Sequence, residues 1–140
     1  MFLDASIIVA ILAEEDDCQD LKARLLAIKE PFYFSPVVRY EAVTALARIT
    51  SSPKGGRLDV DALLRAEVVF DYFMAALSAS EIDISVEIGK GAIVANGTYG
   101  KTAGHRAALN FGDCFSYATA KALGVGLLYK GNDFALTDLG

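Results

Sequence analysis

The sequence predicts an α/β protein, a sandwich with helices on both faces of a mostly parallel sheet. Two observations predict it. Short apolar or aromatic stretches alternate with helical patterns along the whole chain, and acids recur directly after those stretches or at the helices that follow them. At 140 residues, with 54% hydrophobic and 22% charged residues, the chain is expected to be one domain, residues 1–140, with one real core. That balance argues against disorder.

The elements follow in order. Phe2-Leu3 reads as a short buried strand ending at Asp4. Ser6 suits the N-cap of a helix over Ile7–Ala13. After an acidic cluster (Glu14, Glu15, Asp16, Asp17, Asp20), residues Cys18–Lys29 have helical spacing through Leu21, Leu25 and Ile28. Pro31 breaks the chain before an aromatic strand, Phe32–Phe34. Pro36 sits at the first position of a helix running to about Ile49, with Val38, Ala42, Ala45, Leu46 and Ile49 inward. Ser51-Ser-Pro-Lys-Gly-Gly56 marks a loop, and a long helix from about Val60 to Ala79 follows. Ile82-Asp83-Ile84 alternates as a strand does, and Val86–Val94 returns to helix. Glycines at 97, 100 and 104 predict a flexible stretch before Asn110-Phe-Gly-Asp113. A helix over Asp113–Leu123, a buried strand over Gly126–Lys130 and a turn at Gly131-Asn132-Asp133 complete the pattern.

Ligands on open parallel sheets bind beyond the carboxyl ends of the strands. Asp4 and Asp133 follow strands, and Asp113 opens a helix. Glu41 shares a helical face with Val37, Val38 and Ala45. A carboxylate on an apolar face is costly without a counter-charge, and a hard divalent cation supplies one. Taken singly, each aspartate also suits a cap, and Glu41 a boundary residue reaching water. Their joint recurrence points to a shared metal site.

These residues carry a family resemblance. Phe2-Leu-Asp4-Ala-Ser6, Pro36-Val-Val-Arg-Tyr-Glu41, Asn110-Phe-Gly-Asp113-Cys-Phe-Ser-Tyr-Ala118 and Leu127-Leu-Tyr-Lys-Gly-Asn-Asp133-Phe134 resemble, in order, the four acidic motifs of the PIN-domain family. Within that family they resemble the ribonuclease toxins, VapC, of bacterial VapBC-type toxin–antitoxin pairs. The resemblance implies a PIN-like three-layer α/β/α sandwich and a Mg²⁺- or Mn²⁺-dependent endoribonuclease. Asp4, Glu41, Asp113 and Asp133 would form the catalytic, metal-binding pocket. Ser6 would orient Asp4 or a water, with Asn132 supporting the same network. Partners implied are an RNA substrate and a cognate VapB-type antitoxin. The bulky residues of the Val60–Ala79 helix suit an antitoxin groove or a homodimer interface.

The chemistry is consistent with the composition. Mg²⁺ takes oxygen ligands and keeps several waters. It activates a water for in-line displacement at phosphorus without a side-chain nucleophile, as suits a chain with one histidine, His105. Two distant cysteines, Cys18 and Cys114, cannot build a usual zinc site with it. The net charge of −5 looks adverse for binding a polyanion, but taking the four acids from the 18 Asp and Glu leaves 14 against 13 bases. From Ile88 to Asn132 the balance is basic, and Lys101, His105 and Arg106 are expected to face the RNA backbone from a mobile loop. Ala95-Asn-Gly-Thr-Tyr-Gly100-Lys101-Thr102 nearly spells a phosphate-binding loop, but helix rather than strand precedes it.

Receiver- and phosphatase-like domains also gather acids at strand ends. They want adjacent acids or Asp-x-Asp, and Asp4-Ala-Ser6 supplies neither. The alternative from another class is a non-catalytic PIN-like module that binds RNA or protein. The longest unbroken apolar run, Ile7–Ala13, is far too short for a membrane span. The opening residues lack the basic segment of a secretory signal, so the expected location is cytoplasmic, with no membrane partner.

Overall fold

A computed structural model describes residues 1–51 and 58–140. Four strands form one sheet in the order β3-β2-β1-β4, every pairing parallel: β1 Phe2–Leu3, β2 Tyr33–Phe34, β3 Ser80–Glu81 and β4 Leu127–Leu128. Six α-helices are described: α1 Ala5–Leu12, α2 Cys18–Ala27, α3 Pro36–Ser51, α4 Val60–Ala76, α5 Val86–Tyr99 and α6 Phe111–Leu123. The α/β class read from the sequence is the class observed. The strands are only two residues long, yet Phe2, Leu3, Leu127 and Leu128 are all buried, as parallel strands covered on both sides require.

The register places the site. Phe2 pairs with Leu127 and Leu3 with Leu128. The Asp4 amide then donates to the Leu128 carbonyl (3.0 Å), so the chain leaves β1 and β4 at one sheet edge. Core side chains close over the sheet, with Ile7, Ile8, Val38, Phe70, Leu109 and Phe134 fully buried. α3 is held by Arg39, whose guanidinium donates to Glu81 (3.0 and 2.7 Å) and Asp71 (2.5 Å) while lying over the rings of Phe34 and Phe70. Fixing Arg39 between β3 and α4 turns its neighbours Tyr40 and Glu41 toward another face.

Several boundaries differ from expectation. α1 starts before Ile7 because Asp4, not Ser6, is its N-cap. Ile49 is exposed at the end of α3 rather than inward. The third strand lies at Ser80–Glu81, ahead of Ile82-Asp83-Ile84; only the Ile82 amide continues the ladder, donating to the Phe34 carbonyl (2.8 Å). α5 runs through Tyr99 and takes in Gly97, the first glycine of the stretch expected to be loop, while Gly100 caps its end and Gly104 follows a short 3-10 turn. Packing along α6 carries the helix through Gly97, although a Cβ at Gly97 itself would meet open space. α6 begins at Phe111, ahead of Asp113. The loop expected up to Gly56 lies, past Ser51, outside the described residues. No described helix is long and apolar enough to cross a membrane.

Candidate active site

Asp4 is the residue at which β1 becomes α1. Its carboxylate accepts from the Ser6 amide (2.9 Å) and from the Ser6 hydroxyl (2.5 Å), and the side chain is only 4% exposed. The Ser6 hydroxyl accepts in turn from the Lys130 amide (3.1 Å), tying the start of α1 to the segment after β4. Asp113 is built differently. Asn110 caps α6 by accepting from the Asp113 amide (3.1 Å), and the Asp113 carboxylate accepts from the Asn110 amide (2.8 Å), a reciprocal capping box. Capping and site membership are therefore compatible roles for these aspartates, because a cap uses one face of a carboxylate.

These residues meet in an open cleft of about 690 Å³, lined by Asp4, Ser6, Glu41, Asp113 and Asp133 together with Tyr40, Thr44, Arg48, Asn110 and Lys130. Glu41 reaches it past Gly112: a Cβ there would lie 2.0–2.2 Å from the Glu41 carboxylate, so a side chain at 112 would displace that carboxylate. Burial, then the charges of Asp4 and Asp113, push Glu41 up to about 7. Burial also pushes Asp113 up to about 6; the Asn110 amide opposes this, while the charges of Asp4 and Asp133 add to it. Asp133 itself is exposed. The four acids do not form a closed cage. Among the described residues no three His, Cys, Asp or Glu side chains are gathered as a ready ligand set for one ion.

The remaining sequence candidates lie elsewhere. Asn132 is exposed and is not on the cleft wall. Lys101, in a short 3-10 helix, is exposed and lines a separate apolar cleft between α5 and α6, beside Ile93 and Phe111. Arg106 is exposed. His105 accepts from the Ala107 amide through Nδ1 (3.1 Å) and packs edge-on against Tyr99, holding its own turn. The cations that do line the acidic cleft are Arg48, which no charge pattern in the sequence singles out, and Lys130, which the sequence marks only as part of the basic Ile88–Asn132 stretch. Glu41 could have pointed to Arg48, seven residues on along the same helical face.

The PIN domain model matches residues 1–139. A VapC ribonuclease of Rhizobium meliloti (strain 1021) is 49% identical over 140 residues, covering 99% of both chains. A ribonuclease VapC of Mycolicibacterium smegmatis is 37% identical over 99% of this chain and 97% of its own length. Among solved structures, VapC20 of Mycobacterium tuberculosis, a sarcin–ricin loop cleaving toxin, superposes with a TM-score of 0.74 at 16% identity, covering 99% of this chain and 95% of that one. A toxin–antitoxin complex from Klebsiella pneumoniae has a chain with a TM-score of 0.66 at 18% identity, covering 98% and 92%. The match to the family model and the identity to full-length relatives agree with the order of the four acidic motifs: the chain belongs to the PIN-domain family, in the company of the VapC ribonucleases.

Proposed function

We propose that the protein is a metal-dependent endoribonuclease, the toxin of a VapBC-type toxin–antitoxin pair, hydrolysing RNA phosphodiester bonds at the acidic cleft. The observation that carries the reading is the convergence of Asp4, Glu41, Asp113 and Asp133, from four separate parts of the chain, on one open wall. An all-oxygen donor set suits a hard divalent cation, and Mg²⁺ needs only one or two carboxylates because it keeps waters. The raised pKa values of Glu41 and Asp113 mark carboxylates crowded without a counter-charge. Both features fit Mg²⁺ or Mn²⁺ held by some or all of the four acids. When bound, such an ion supplies positive charge at the phosphate and acidifies water.

The chain's own residues do the rest. The Ser6 hydroxyl and amide fix the Asp4 carboxylate in one orientation, and the capping box does the same for Asp113. Burial and the charges of Asp4 and Asp113 push Glu41 up to about 7 in the metal-free cleft, a crowding that a bound cation would relieve. Asp133, on the exposed rim, faces incoming substrate. An RNA substrate, a cognate VapB-type antitoxin and a homodimeric, cytoplasmic state belong to the same proposal. The exposed apolar side chains of α4 (Val60, Leu64, Val68, Val69, Tyr72) offer the antitoxin a seat.

The test is cleavage of total RNA by purified protein with Mg²⁺, Mn²⁺ or EDTA, beside Asp4→Asn and Asp113→Asn. Cleavage should require the metal and disappear in both folded variants, and Mg²⁺ should raise the melting temperature of the wild type. Cleavage that persists in EDTA refutes the metal dependence. No cleavage and no metal-induced rise in melting temperature favours the non-catalytic binding module.

A further inference from the structure

The cleft wall has a polarity problem. Its acids, Asp4, Glu15, Glu41, Asp113 and Asp133, repel the phosphate backbone that must enter it. Of the two cations on the wall, Lys130 is already engaged: its ammonium donates to Asp17 (2.7 Å) and to Glu15. The ion pairs among the described residues are made by Arg39, Lys121 and Lys130, not by Arg48.

Arg48 stands on α3 at a defined offset from the acids. Glu41, Thr44, Ala45 and Arg48 follow the spacing of one helical face, and all four line the cleft. Seven residues at the helical rise put Arg48 roughly 10 Å along the axis from Glu41, far enough to hold a neighbouring phosphate rather than the one being cut. Tyr40, adjacent to Glu41, also lines the cleft and is 72% exposed. An exposed ring on the same cleft wall as a cation, eight residues from it along α3, offers a single-stranded base a stacking surface. Arginine is the suitable cation, because its planar fork matches phosphate oxygens and its charge survives at any working pH.

Resting on the ribonuclease reading above, we infer that Arg48 and Tyr40 are substrate-positioning residues. Arg48 binds a backbone phosphate flanking the scissile one, and Tyr40 stacks a base of single-stranded RNA. Binding is measured in EDTA, which withholds the metal that cleavage requires, with a short, fluorescently labelled RNA of mixed sequence, titrated at several salt concentrations. Arg48→Ala should weaken binding and make the log–log salt dependence shallower by about 0.7, one single-strand phosphate contact. Arg48→Lys should restore the slope. Arg24→Ala, the same charge loss on exposed α2, should leave it unchanged. Tyr40→Ala should weaken binding roughly 5- to 150-fold while Tyr40→Phe stays near wild type. In cleavage of total RNA the losses should appear in KM, with kcat at saturating RNA retained.

An unchanged salt slope in Arg48→Ala, or a loss no greater than that of Arg24→Ala, overturns the role of Arg48. A Tyr40→Ala variant that binds like wild type overturns the stacking. A wild-type protein that neither binds the probe nor cleaves RNA overturns the ribonuclease reading and this inference with it. Wild-type cleavage with indifferent variants overturns the inference alone.

Discussion

Glu41 and Asp113 bind their protons more tightly in the folded chain than in the unfolded one, at about 7 against 4.5 and about 6 against 3.8. A carboxyl group whose folded pKa is raised contributes stability that is fully present below its unfolded value and is lost as pH rises through the folded one. The metal-free protein should therefore lose thermal stability between about pH 4 and 7 and level off above. Melting curves in EDTA across that window check it: Glu41→Gln should flatten the upper half of the fall, and a melting temperature that rises with pH refutes the assignment. Gly112 gives a second prediction. Alanine is the better helix former by up to ~1 kcal/mol, but its methyl would occupy the space of the Glu41 carboxylate. Gly112→Ala should keep or raise stability while cutting cleavage about 100-fold, since Glu41 must swing aside. Stability loss with normal cleavage would contradict it. The acids were legible in the sequence because they interrupt patterns that physical chemistry otherwise explains. Tyr40 and Arg48 were not: a tyrosine near a helix start and an arginine near a helix end are ordinary until the tertiary fold places acids beside them. Lys101, His105 and Arg106 drew notice through local charge, which carries no information about distance from the cleft.

Of the side-chain caps on α5 and α6, which are comparable, only that of α6 carries an acid of the site. Ser85 caps α5 by accepting from the Ile88 amide, and Asn110 caps α6 by accepting from the Asp113 amide. Replacing either by alanine should cost about 1 kcal/mol in denaturant unfolding. Ser85→Ala should cleave RNA as wild type does, whereas Asn110→Ala should also lose activity, because the first turn of α6 carries Asp113. Equal activity in the two variants would show that the cap does not position the acid. Elements with strong punctuation were readable from sequence: Pro36 opens α3, and Gly124 closes α6 in the left-handed conformation. The end of α5 was not. Gly97 signals a break, and the packing of α5 along α6 that carries the helix past it is a long-range fact. The shift of β3 has a similar origin, because alternation in Ile82-Asp83-Ile84 cannot say which amides β2 will satisfy.

At the scale of the whole molecule, order along the chain and order in space are both simple. The parallel sheet in the order β3-β2-β1-β4 follows from strand–helix alternation, and it brings the ends of β1 and β4 side by side. What sequence cannot supply is the use of surfaces left bare. Ile93 and Phe111 remain exposed on the α5–α6 cleft, apart from the exposed α4 side chains proposed as the antitoxin's seat. If the α5–α6 cleft is the homodimer surface, light scattering should give twice the 14.9 kDa chain mass, and Ile93→Lys with Phe111→Lys should return the monomer. A wild-type monomer at micromolar concentration would sink the dimer. The groove of about 470 Å³ between α3 and α4 includes Tyr40, Thr44 and Arg48, which also line the acidic cleft. A chain seated in that groove would cover part of the RNA path, so occlusion alone could silence the enzyme.

The hydrogen bond from the Lys130 amide to Ser6 joins residues 124 positions apart, and the acids themselves are drawn from positions 4, 41, 113 and 133. A growing polypeptide on the ribosome cannot possess this cleft until its last acid has emerged. On the proposed reading, a product that stops short of Asp133 lacks the complete cleft and spares the RNA around it.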